Sequence, residues 1–315
     1  NNINNIATKN RERPDTGIAI QPDEGNSSGA GDAAARVVGN EFSNTQIRVT
    51  HPVGDDTVEV PDQTQTVVED GQVVFTDSGN IVVDADNGEG NFSSIQSAVD
   101  AAATGATVVV RLGTFNEPVT IDTEGVNVEG PNAGIAGDSD QRGSEALINN
   151  TNADTGGAIS IVSPGVTVDG LQIESDAQDG ISVSEPVDNV TLQNNRITSV
   201  EGLGTFGSNN GNRATGNGIA FGLPRDTSQT TVTGAVIKDN VIAGVSTTDL
   251  SESEDRTTAN GIQVLTRQHT VEGMEITGNV ITELEAGTSG DTGDKRARGI
   301  VVNVGSDGGT IGAAD

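Results

Sequence analysis

The chain has 315 residues, and 46 acidic side chains against 16 basic ones give it a formal net charge of −30. A surface this acidic repels polyanions, which argues against nucleic acid as a partner. Cysteine is absent, so disulfides and thiol chemistry are excluded. No signal peptide and no apolar run long enough to span a bilayer is found. The sequence does not begin with methionine, and we interpret it as a mature form or an excised segment.

The composition is also poor in aromatic residues, which make up 2% of the chain and include neither tryptophan nor tyrosine. This charge balance is typical of disorder, but regularly spaced valine and isoleucine residues oppose that interpretation. We therefore interpret the acidic residues as a solvated surface. The composition resembles that of proteins from salt-loving archaea, in which high salt screens charge repulsion, and it predicts a halophilic source.

The first 45 residues carry fragments of a repeat that is clearer later in the chain. Asn1-Asn2-Ile3 and Asn40-Glu41-Phe42 follow an Asn-x-apolar pattern, and Gly17-Ile-Ala-Ile20 follows a Gly-Ile-x-apolar pattern. We expect residues 1–45 to form late coils of a β-helix that complete a neighbouring unit.

Residues 46–82 have a different sequence pattern, in which short runs of valine and isoleucine alternate with polar residues. Asp70-Gly71 stands between Val68 and Val73, which is a signal for a two-residue hairpin. The segment is predicted to be a small antiparallel β connector.

A short amphipathic helix is predicted at 93–104. Its N-cap would be Ser93, with Gln96 closing a capping box and Gly105 ending the helix. Four apolar residues fall at i, i+3, i+4 and i+7 on one stripe: Ile95, Ala98, Val99 and Ala102. Three short β runs follow. The helix would therefore cover the end of a β-helix in which each coil contains three strands.

This opening resembles that of the pectin-lyase-like superfamily, especially the pectinesterase type. The shared pieces are a glycine-rich turn at Asp86–Asn91, the stretch Phe92–Val99 and the stretch Gly113-Thr-Phe-Asn-Glu117. The resemblance implies an all-β fold: a right-handed parallel β-helix, or solenoid, over 83–315, with a short N-terminal capping helix. The same opening occurs on enzymes, adhesins and surface proteins, so it implies no single activity.

A two-part unit recurs downstream of the helix. Its first half is Gly-Ile-x-apolar, beginning at Gly180, Gly218, Gly261 and Gly299. Its second half is Asn-x-Ile, beginning at Asn195, Asn240 and Asn279. Alternating isoleucine and valine would point inward, while glycine and asparagine suit left-handed turns, where asparagine amides can stack into a ladder. The same turn or ladder role is predicted for the N-terminal members of the pattern, Asn1, Gly17 and Asn40.

Long polar inserts separate the two halves, at 198–217, 243–260 and 282–298. Because they leave the coil at the same corner, they should collect on one face, either as solvated decoration or as a binding face. Joining the chain ends would place Asn1-Asn2-Ile3 after Asp315 and reproduce Asp239-Asn240-Val241-Ile242. We therefore predict a linear array, formed either by tandem repeats of one polypeptide or by subunits that stack head to tail.

Evidence for catalysis is weak in the sequence. The resemblance to pectinesterases covers only the opening, and the family's Gln-Ala-Val-Ala-Leu, Asp-Phe-Ile-Phe-Gly and Arg-Pro-Trp stretches have no match. Neither His51 nor His269 has a pair of aspartates beside it. We predict no catalytic residues and expect that the chain is not an enzyme.

Two kinds of binding or modification site are predicted. Asp84, Asp86 and Glu89 concentrate oxygen ligands round a glycine turn, which makes Ca²⁺ the candidate metal; no other cofactor is expected. Candidate N-glycosylation sites fit the Asn-x-Ser/Thr pattern at Asn26, Asn91, Asn149 and Asn189.

The sequence thus predicts a non-catalytic structural protein on a cell or virion surface. Its β-helix units would join head to tail into a filament or extended array, with adhesion to surface glycans as a further role. Two alternatives remain open: a secreted polysaccharide lyase, esterase or hydrolase on the same scaffold, and a glycan-binding spike module.

Overall fold

The structure, a computed structural model, describes residues 81–85, 92–151, 156–202, 214–222, 231–247, 257–266, 269–287 and 295–303, together with the backbone of strands outside these ranges. The strands that precede the β-helix are β1 (Asn2–Asn4), β2 (Thr16–Ile20), β3 (Ala34–Arg36), β4 (Glu41–Ser43), β5 (Gln46–Val49), β6 (Thr57–Glu59), β7 (Val67–Glu69) and β8 (Gln72–Val74).

The β-helix begins with β9 (Ile81–Val83) and the helix α1 (Ile95–Asp100). Its first coils contain β10 (Thr107–Val110), β11 (Gly113–Phe115), β12 (Val119–Ile121), β13 (Asn127–Glu129), β14 (Ala146–Asn150), β15 (Gly157–Ile161), β16 (Thr167–Asp169), β17 (Gln172–Ser175), β18 (Asp179–Val183), β19 (Thr191–Gln193), β20 (Arg196–Gly202) and β21 (Arg213–Gly222). Its later coils contain β22 (Thr231–Thr233), β23 (Val236–Lys238), β24 (Val241–Ile242), β25 (Val245–Thr247), β26 (Arg256–Leu265), β27 (Thr270–Glu272), β28 (Glu275–Thr277), β29 (Val280–Ile281), β30 (Leu284–Ala286), β31 (Asp294–Asn303) and β32 (Thr310–Ile311).

These strands stack into parallel sheets that the chain visits in turn. Sheet 1 has the order β9-β10-β13-β16-β19-β23-β28, and sheet 2 has the order β11-β14-β17-β20-β24-β29 with β25 and β30 alongside. Sheet 3 has the order β12-β15-β18-β21-β26-β31, and a smaller sheet 4 has the order β22-β27-β32. Parallel strands in stacked sheets with almost no helix confirm the predicted all-β class, a right-handed parallel β-helix.

The core is built from the alternating apolar residues of the repeat. In sheet 3, Ile159, Ile181, Ile219 and Ile262 stand in register in successive coils, and all four are buried. One cluster of buried apolar side chains continues from Ile81 to Val264. Because burying an isoleucine stabilises by roughly 1.5–3 kcal/mol, each added coil contributes to stability through its contacts with its neighbours.

The helix α1 closes one end of this core with Ile95, Ala98 and Val99, all fully buried. It is shorter than the predicted 93–104, and its N-cap is Ser94 rather than Ser93. The predicted capping box does not form at this end. The side-chain carbonyl of Gln96 instead accepts from the backbone N–H of Thr120 in β12, and its side-chain amide donates to the carbonyl of Thr120.

The N-terminus of α1 is held by the carboxylate of Glu117. Its Oε1 accepts from the backbone N–H of Ile95 at 2.7 Å, and its Oε2 accepts from the hydroxyl of Ser94 at 2.7 Å. A negative group at a helix N-terminus is favourable because it satisfies free N–H groups and opposes the positive end of the helix dipole. This contact joins the Gly113–Glu117 stretch to the N-terminus of the capping helix.

We expect Glu117→Gln to loosen this cap, because it removes the charge that strengthens both bonds. The expected loss is about 1 kcal/mol, read as faster hydrogen exchange of the α1 amides of Ser97 and Ala98. Glu124→Gln, a change at an exposed position, serves as the control. Equal exchange in both variants would mean that the Glu117 charge does not hold the helix.

The N-terminal strands pair in the parallel mode of the coils. The pairs are β1 with β4, β2 with β5 and β3 with β6, while β8 pairs antiparallel with both β5 and β7. β7 and β8 pair antiparallel, as the predicted hairpin requires, while Asp70 and Gly71 themselves lie outside the described residues. The division into residues 1–45, 46–82 and 83–315 remains a prediction, although β9 already pairs with β10 in sheet 1 and so places the first β-helix strand at Ile81.

Candidate functional site

The last coil among the described residues, comprising β28 to β31 and here called the open coil, has exposed apolar side chains. Ile262 and Val264 of β26 are 0% and 1% exposed, whereas Ile300 and Val302, which stand in register with them in β31, are each 51% exposed. Val280 of β29 is 37% exposed. Since the sequence pattern is the same in both coils, the difference arises because no further coil lies against β31 in the described part of the chain.

The edges of the open coil are also available for pairing. Among the described strands, β28 pairs only with β23, β29 only with β24 and β31 only with β26. An unpaired parallel edge beside exposed isoleucine and valine is a template for another strand. The two ends of the β-helix therefore differ, because the other end is closed by α1.

The glycines of the Gly-Ile unit correct one prediction. Gly180, Gly218, Gly261 and Gly299 lie inside strands of sheet 3 and do not form left-handed turns. A Cβ added at Gly180 would lie 2.7 Å from Cγ2 of Ile197, and a Cβ added at Gly261 would lie 2.5 Å from Cγ2 of Ile281.

Glycine is thus required by two close approaches from the next coil: an isoleucine Cγ2 and the backbone carbonyl oxygen of the next glycine, which would lie 2.7 Å from a Cβ at Gly180 and 2.6 Å from a Cβ at Gly261. Ile242 approaches Gly218 in the same way. Each of these isoleucines ends an Asn-x-Ile tripeptide, so the two halves of the repeat fit together across coils. At Gly299 no atom of the described residues lies within 4 Å of the Cβ position, and the corresponding space is open.

A second row runs along the corner between sheets 1 and 2. Oδ1 of Asn240 accepts from the backbone N–H and the side-chain amide of Asn195 at 2.9 and 3.2 Å. Oδ1 of Asn279 accepts from the same two groups of Asn240 at 3.0 and 2.9 Å. The residues that take the left-handed conformation here precede these asparagines: Asn194, Asp239 and Gly278.

This asparagine ladder has a direction, since each side-chain carbonyl accepts from the preceding coil. The backbone N–H of Asn279 accordingly has no acceptor among the described residues. Asn1 and Asn40, predicted members of the ladder, lie outside the described residues. Gly17 lies in β2, for which only the backbone is described.

A loop at 131–145, here called the strap, lies across several coils at the same corner. The carboxylate of Asp169 accepts from the backbone N–H of Gly134 with both oxygens, at 3.1 and 3.2 Å. It also accepts from the side chains of Gln193 and Asn194 at 2.8 and 2.7 Å. Further along the strap, Gly137 donates its N–H to the carbonyl of Asp239 at 2.8 Å.

The strap is anchored by Arg142, whose side chain is 2% exposed. Its guanidinium forms a two-bond pair with Glu145, with both distances 2.9 Å. It also donates to the carbonyls of Ile135 and Asn194 at 2.7 and 2.6 Å. A buried guanidinium with this many acceptors fixes the strap to a coil that lies 52 residues further along the sequence.

The outer face of sheet 1 places carboxylates on neighbouring strands. Glu129, Asp169, Gln193 and Lys238 stand in register in successive coils. Two adjacent acids are the arrangement that acid–base chemistry on a sugar bond requires. Here both oxygens of Asp169 are occupied by the strap and its neighbours, and we assign Asp169 to holding the strap.

A polar column inside the β-helix was missed by the sequence reasoning. Asp179, Asn217 and Asn260 stand in register on the inward face of sheet 3, and each is buried. Asn217 donates its side-chain amide to Oδ1 of Asp179 at 2.7 Å, and Asn260 donates to Oδ1 of Asn217 at 2.8 Å. The available signal was the polar residue directly before each Gly-Ile.

Burial raises the pKa of Asp179 to about 7, because the interior disfavours a charged carboxylate; the hydrogen bond from Asn217 opposes this effect. The column therefore brings a proton that titrates near neutral pH into the core.

The predicted Ca²⁺ site is described in part. Asp84 follows β9, and its backbone N–H donates to the carbonyl of Phe92 at 2.9 Å. Asp86 and Glu89 lie outside the described residues. Within the described ranges, no group of three histidine, cysteine, aspartate or glutamate residues is placed to hold a metal ion. Calcium binding at Asp84, Asp86 and Glu89 thus remains a prediction.

The predicted glycosylation sites differ in their surroundings. The side-chain amide of Asn149 donates to Oδ1 of Asn116 at 3.1 Å. Asn189 is exposed and adopts a left-handed φ of 57°. Asn26 and Asn91 lie outside the described residues.

Comparison with known proteins gives similarity in structure only. No protein-family model matches the sequence, and no curated protein matches it. A solved structure of pectin methylesterase from Aspergillus niger has 12% identity and a TM-score of 0.30, and the match covers 73% of this chain and 88% of that one. A pectin methylesterase in complex with hexasaccharide VII has 15% identity and a TM-score of 0.34, with coverage of 62% and 55%.

The predicted resemblance to pectinesterase-type β-helix proteins is thus confirmed at the level of fold. The expectation that the chain is not an enzyme is contradicted, because the solved structures that resemble it are enzymes. At 12–15% identity and TM-scores of 0.30–0.34 the likeness extends to the fold alone and assigns no reaction or catalytic residue to this chain. In the described part of the chain, no helix is both long and apolar enough to cross a membrane.

Proposed function

We propose that this chain is an extracellular β-helix unit that joins other copies end to end through the open coil, and that the product is a linear array. The observation that carries the proposal is the change in exposure from Ile262 and Val264 to their in-register successors Ile300 and Val302. The apolar residues of the Gly-Ile-x-apolar pattern are buried in β26 and half exposed in β31. Asn189, an exposed asparagine in an Asn-x-Thr sequon, supports a location outside the cell.

The driving force is the burial of this apolar surface together with new backbone pairing. Covering three half-exposed aliphatic side chains, Val280, Ile300 and Val302, contributes roughly 1 kcal/mol each. The opposing force is repulsion between chains that each carry a formal charge of −30. Salt at about 1 M shortens the screening length to about 3 Å, from about 10 Å at 0.1 M, so assembly should increase with salt.

The test is sedimentation velocity of the whole chain at 0.1 M and at molar salt over a range of protein concentrations. We expect species larger than the 32.0 kDa chain to appear as salt and concentration rise. The double change Ile300→Asp and Val302→Asp should return the protein to a single chain, because it places two charges where a coil must pack. Leu112→Asp is the matched control, since Leu112 is 55% exposed but lies in the first coil.

Two outcomes would overturn the proposal. One is an unmodified chain that stays at 32.0 kDa at every concentration in molar salt. The other is an array that Leu112→Asp disrupts as strongly as the double change in β31. Circular dichroism of each variant establishes that the fold is retained.

A further inference from the structure

We propose that the open coil receives β1, β2 and β3 of a second copy in one fixed register, with Ile3 seated against Gly299 and Asn1 against Asn279. This inference rests on the proposed end-to-end assembly and names its partner surface. The occupant is the N-terminal segment of another copy of this chain.

The first argument is that three strands at the open end, β29, β31 and β32, have counterparts in chain order among the N-terminal strands. The strands β29, β31 and β32 belong to sheets 2, 3 and 4, whereas β1, β2 and β3 lie in separate sheets. In the proposed junction β1, β2 and β3 take the next positions of sheets 2, 3 and 4 in chain order. Each of the three already pairs in parallel on one side, with β4, β5 and β6 respectively. A strand that is paired along one edge can pair with a further strand along its opposite edge.

The second argument is the register. Ile242 pairs with Ile281 in sheet 2, and Ile3 pairs with Phe42 in the N-terminal strands. Placing Ile3 opposite Ile281 continues one apolar row across the junction. In sheet 3 the same placement continues Ile262 and Ile300 into Ile18, which itself pairs with Ile47.

The third argument is the fit between glycine and isoleucine. In three successive coils the glycine of sheet 3 receives an isoleucine from the next coil, as Gly180 receives Ile197. Gly299 is the next glycine in the row, and its Cβ position is open. The residue that would fill it must end an Asn-x-Ile tripeptide one coil further on, and Asn1-Asn2-Ile3 has that sequence.

The fourth argument is the direction of the asparagine ladder. Asn195 and Asn240 each donate a backbone N–H to the side-chain carbonyl of the next asparagine. Asn279 needs such a carbonyl from outside the described residues. An asparagine two residues before the seated Ile3 supplies it, and that residue is Asn1.

Disulfide crosslinking tests this register directly, because the chain contains no cysteine. Val280 and Asn2 would be opposite each other, as Val241 and Val280 are. Neighbouring parallel strands lie about 5 Å apart, which is within the Cα separation that a disulfide spans. Val280→Cys and Asn2→Cys are made as separate proteins, mixed in equal amounts in molar salt and oxidised.

We expect a heterodimer of twice the 32.0 kDa chain mass, with peptide mapping that joins position 280 to position 2. The matched control mixes Asn2→Cys with Glu285→Cys, an exposed position in the same open coil but five residues out of register. This pair should give at least tenfold less heterodimer. A Gly299→Val change should lower the yield of the 280–2 product in the same assay, because the valine side chain would occupy the space proposed for Ile3.

The outcomes separate this inference from the assembly proposal. If arrays form in molar salt but the 280–2 and 285–2 pairs crosslink equally, the register is wrong and end-to-end assembly stands. If a chain carrying both Val280→Cys and Asn2→Cys closes on itself as a monomer instead of linking copies, the second-copy occupant is wrong. If the unmodified chain never assembles, both proposals are overturned together.

Discussion

Replacing Arg142 with alanine is expected to lower the free energy of unfolding by about 3–5 kcal/mol. The change removes a buried guanidinium and leaves the carboxylate of Glu145, which is 12% exposed, without its two-bond partner. The carbonyls of Ile135 and Asn194 lose a donor as well. The carboxylate keeps only the side-chain amide of Asn132 at 2.8 Å and the more distant Arg196, and a largely buried charge with so little compensation is costly.

The measurement is denaturant unfolding followed by circular dichroism, with Arg196→Ala as the matched control. Arg196 lies 3.8 Å from the same Glu145, but its side chain is 43% exposed. Its loss should cost less than about 1 kcal/mol, because exposed ion pairs contribute little. Equal effects of the two substitutions would show that burial of Arg142 does not set the strength of the strap.

Asp179→Asn is expected to stabilise the protein above pH 7 and to change little at pH 4. The pKa of Asp179 in the native state is raised from 3.8 to about 7, so between these values the native protein holds a proton that the unfolded chain releases. The free energy of unfolding therefore falls as pH rises through this window, by up to about 1.4 kcal/mol per pH unit. Above pH 7 the loss is complete.

Asparagine cannot ionise, so the variant should exceed the unmodified chain by roughly 4 kcal/mol at pH 8, which is about three pH units at 1.4 kcal/mol each. Unfolding curves at fixed ionic strength between pH 4 and 8 measure the difference. Asp122→Asn, at an exposed position, is the control and should show no such pH-dependent gain. Parallel pH profiles for the Asp179→Asn variant and the unmodified chain would contradict the assignment.

The class of fold could be predicted because its signals are local and repeated. The Gly-Ile pattern marks a strand of sheet 3, and the Asn-x-Ile pattern marks the corner that leads into sheet 2. Both patterns recur in successive coils. The reason for the glycines could not be predicted in the same way. A glycine in a left-handed turn and a glycine that allows the next coil to approach closely look alike in sequence. Only the positions of Ile197 and of the Gly218 carbonyl over Gly180 distinguish them.

The strap and the cap depend on contacts that sequence spacing does not encode. Arg142 and Asn194 are 52 residues apart, and no periodic pattern links them. Ser93 and Ser94 are both suitable N-caps by residue type. The carboxylate of Glu117, 23 residues further along, contacts Ser94, which is the N-cap in the structure. Long-range contacts of this kind decide details that local preference leaves open.

The strap also determines how the solenoid should come apart. A plain solenoid has contacts only between neighbouring coils and frays from either end. The strap ties Asp169, Asn194 and Asp239, which belong to three successive coils, to one loop. These coils must open together, whereas the coils that follow Asp239 can loosen one at a time. Cooperative unfolding is therefore expected to be concentrated next to α1, and the open coil is expected to unfold separately from these three coils.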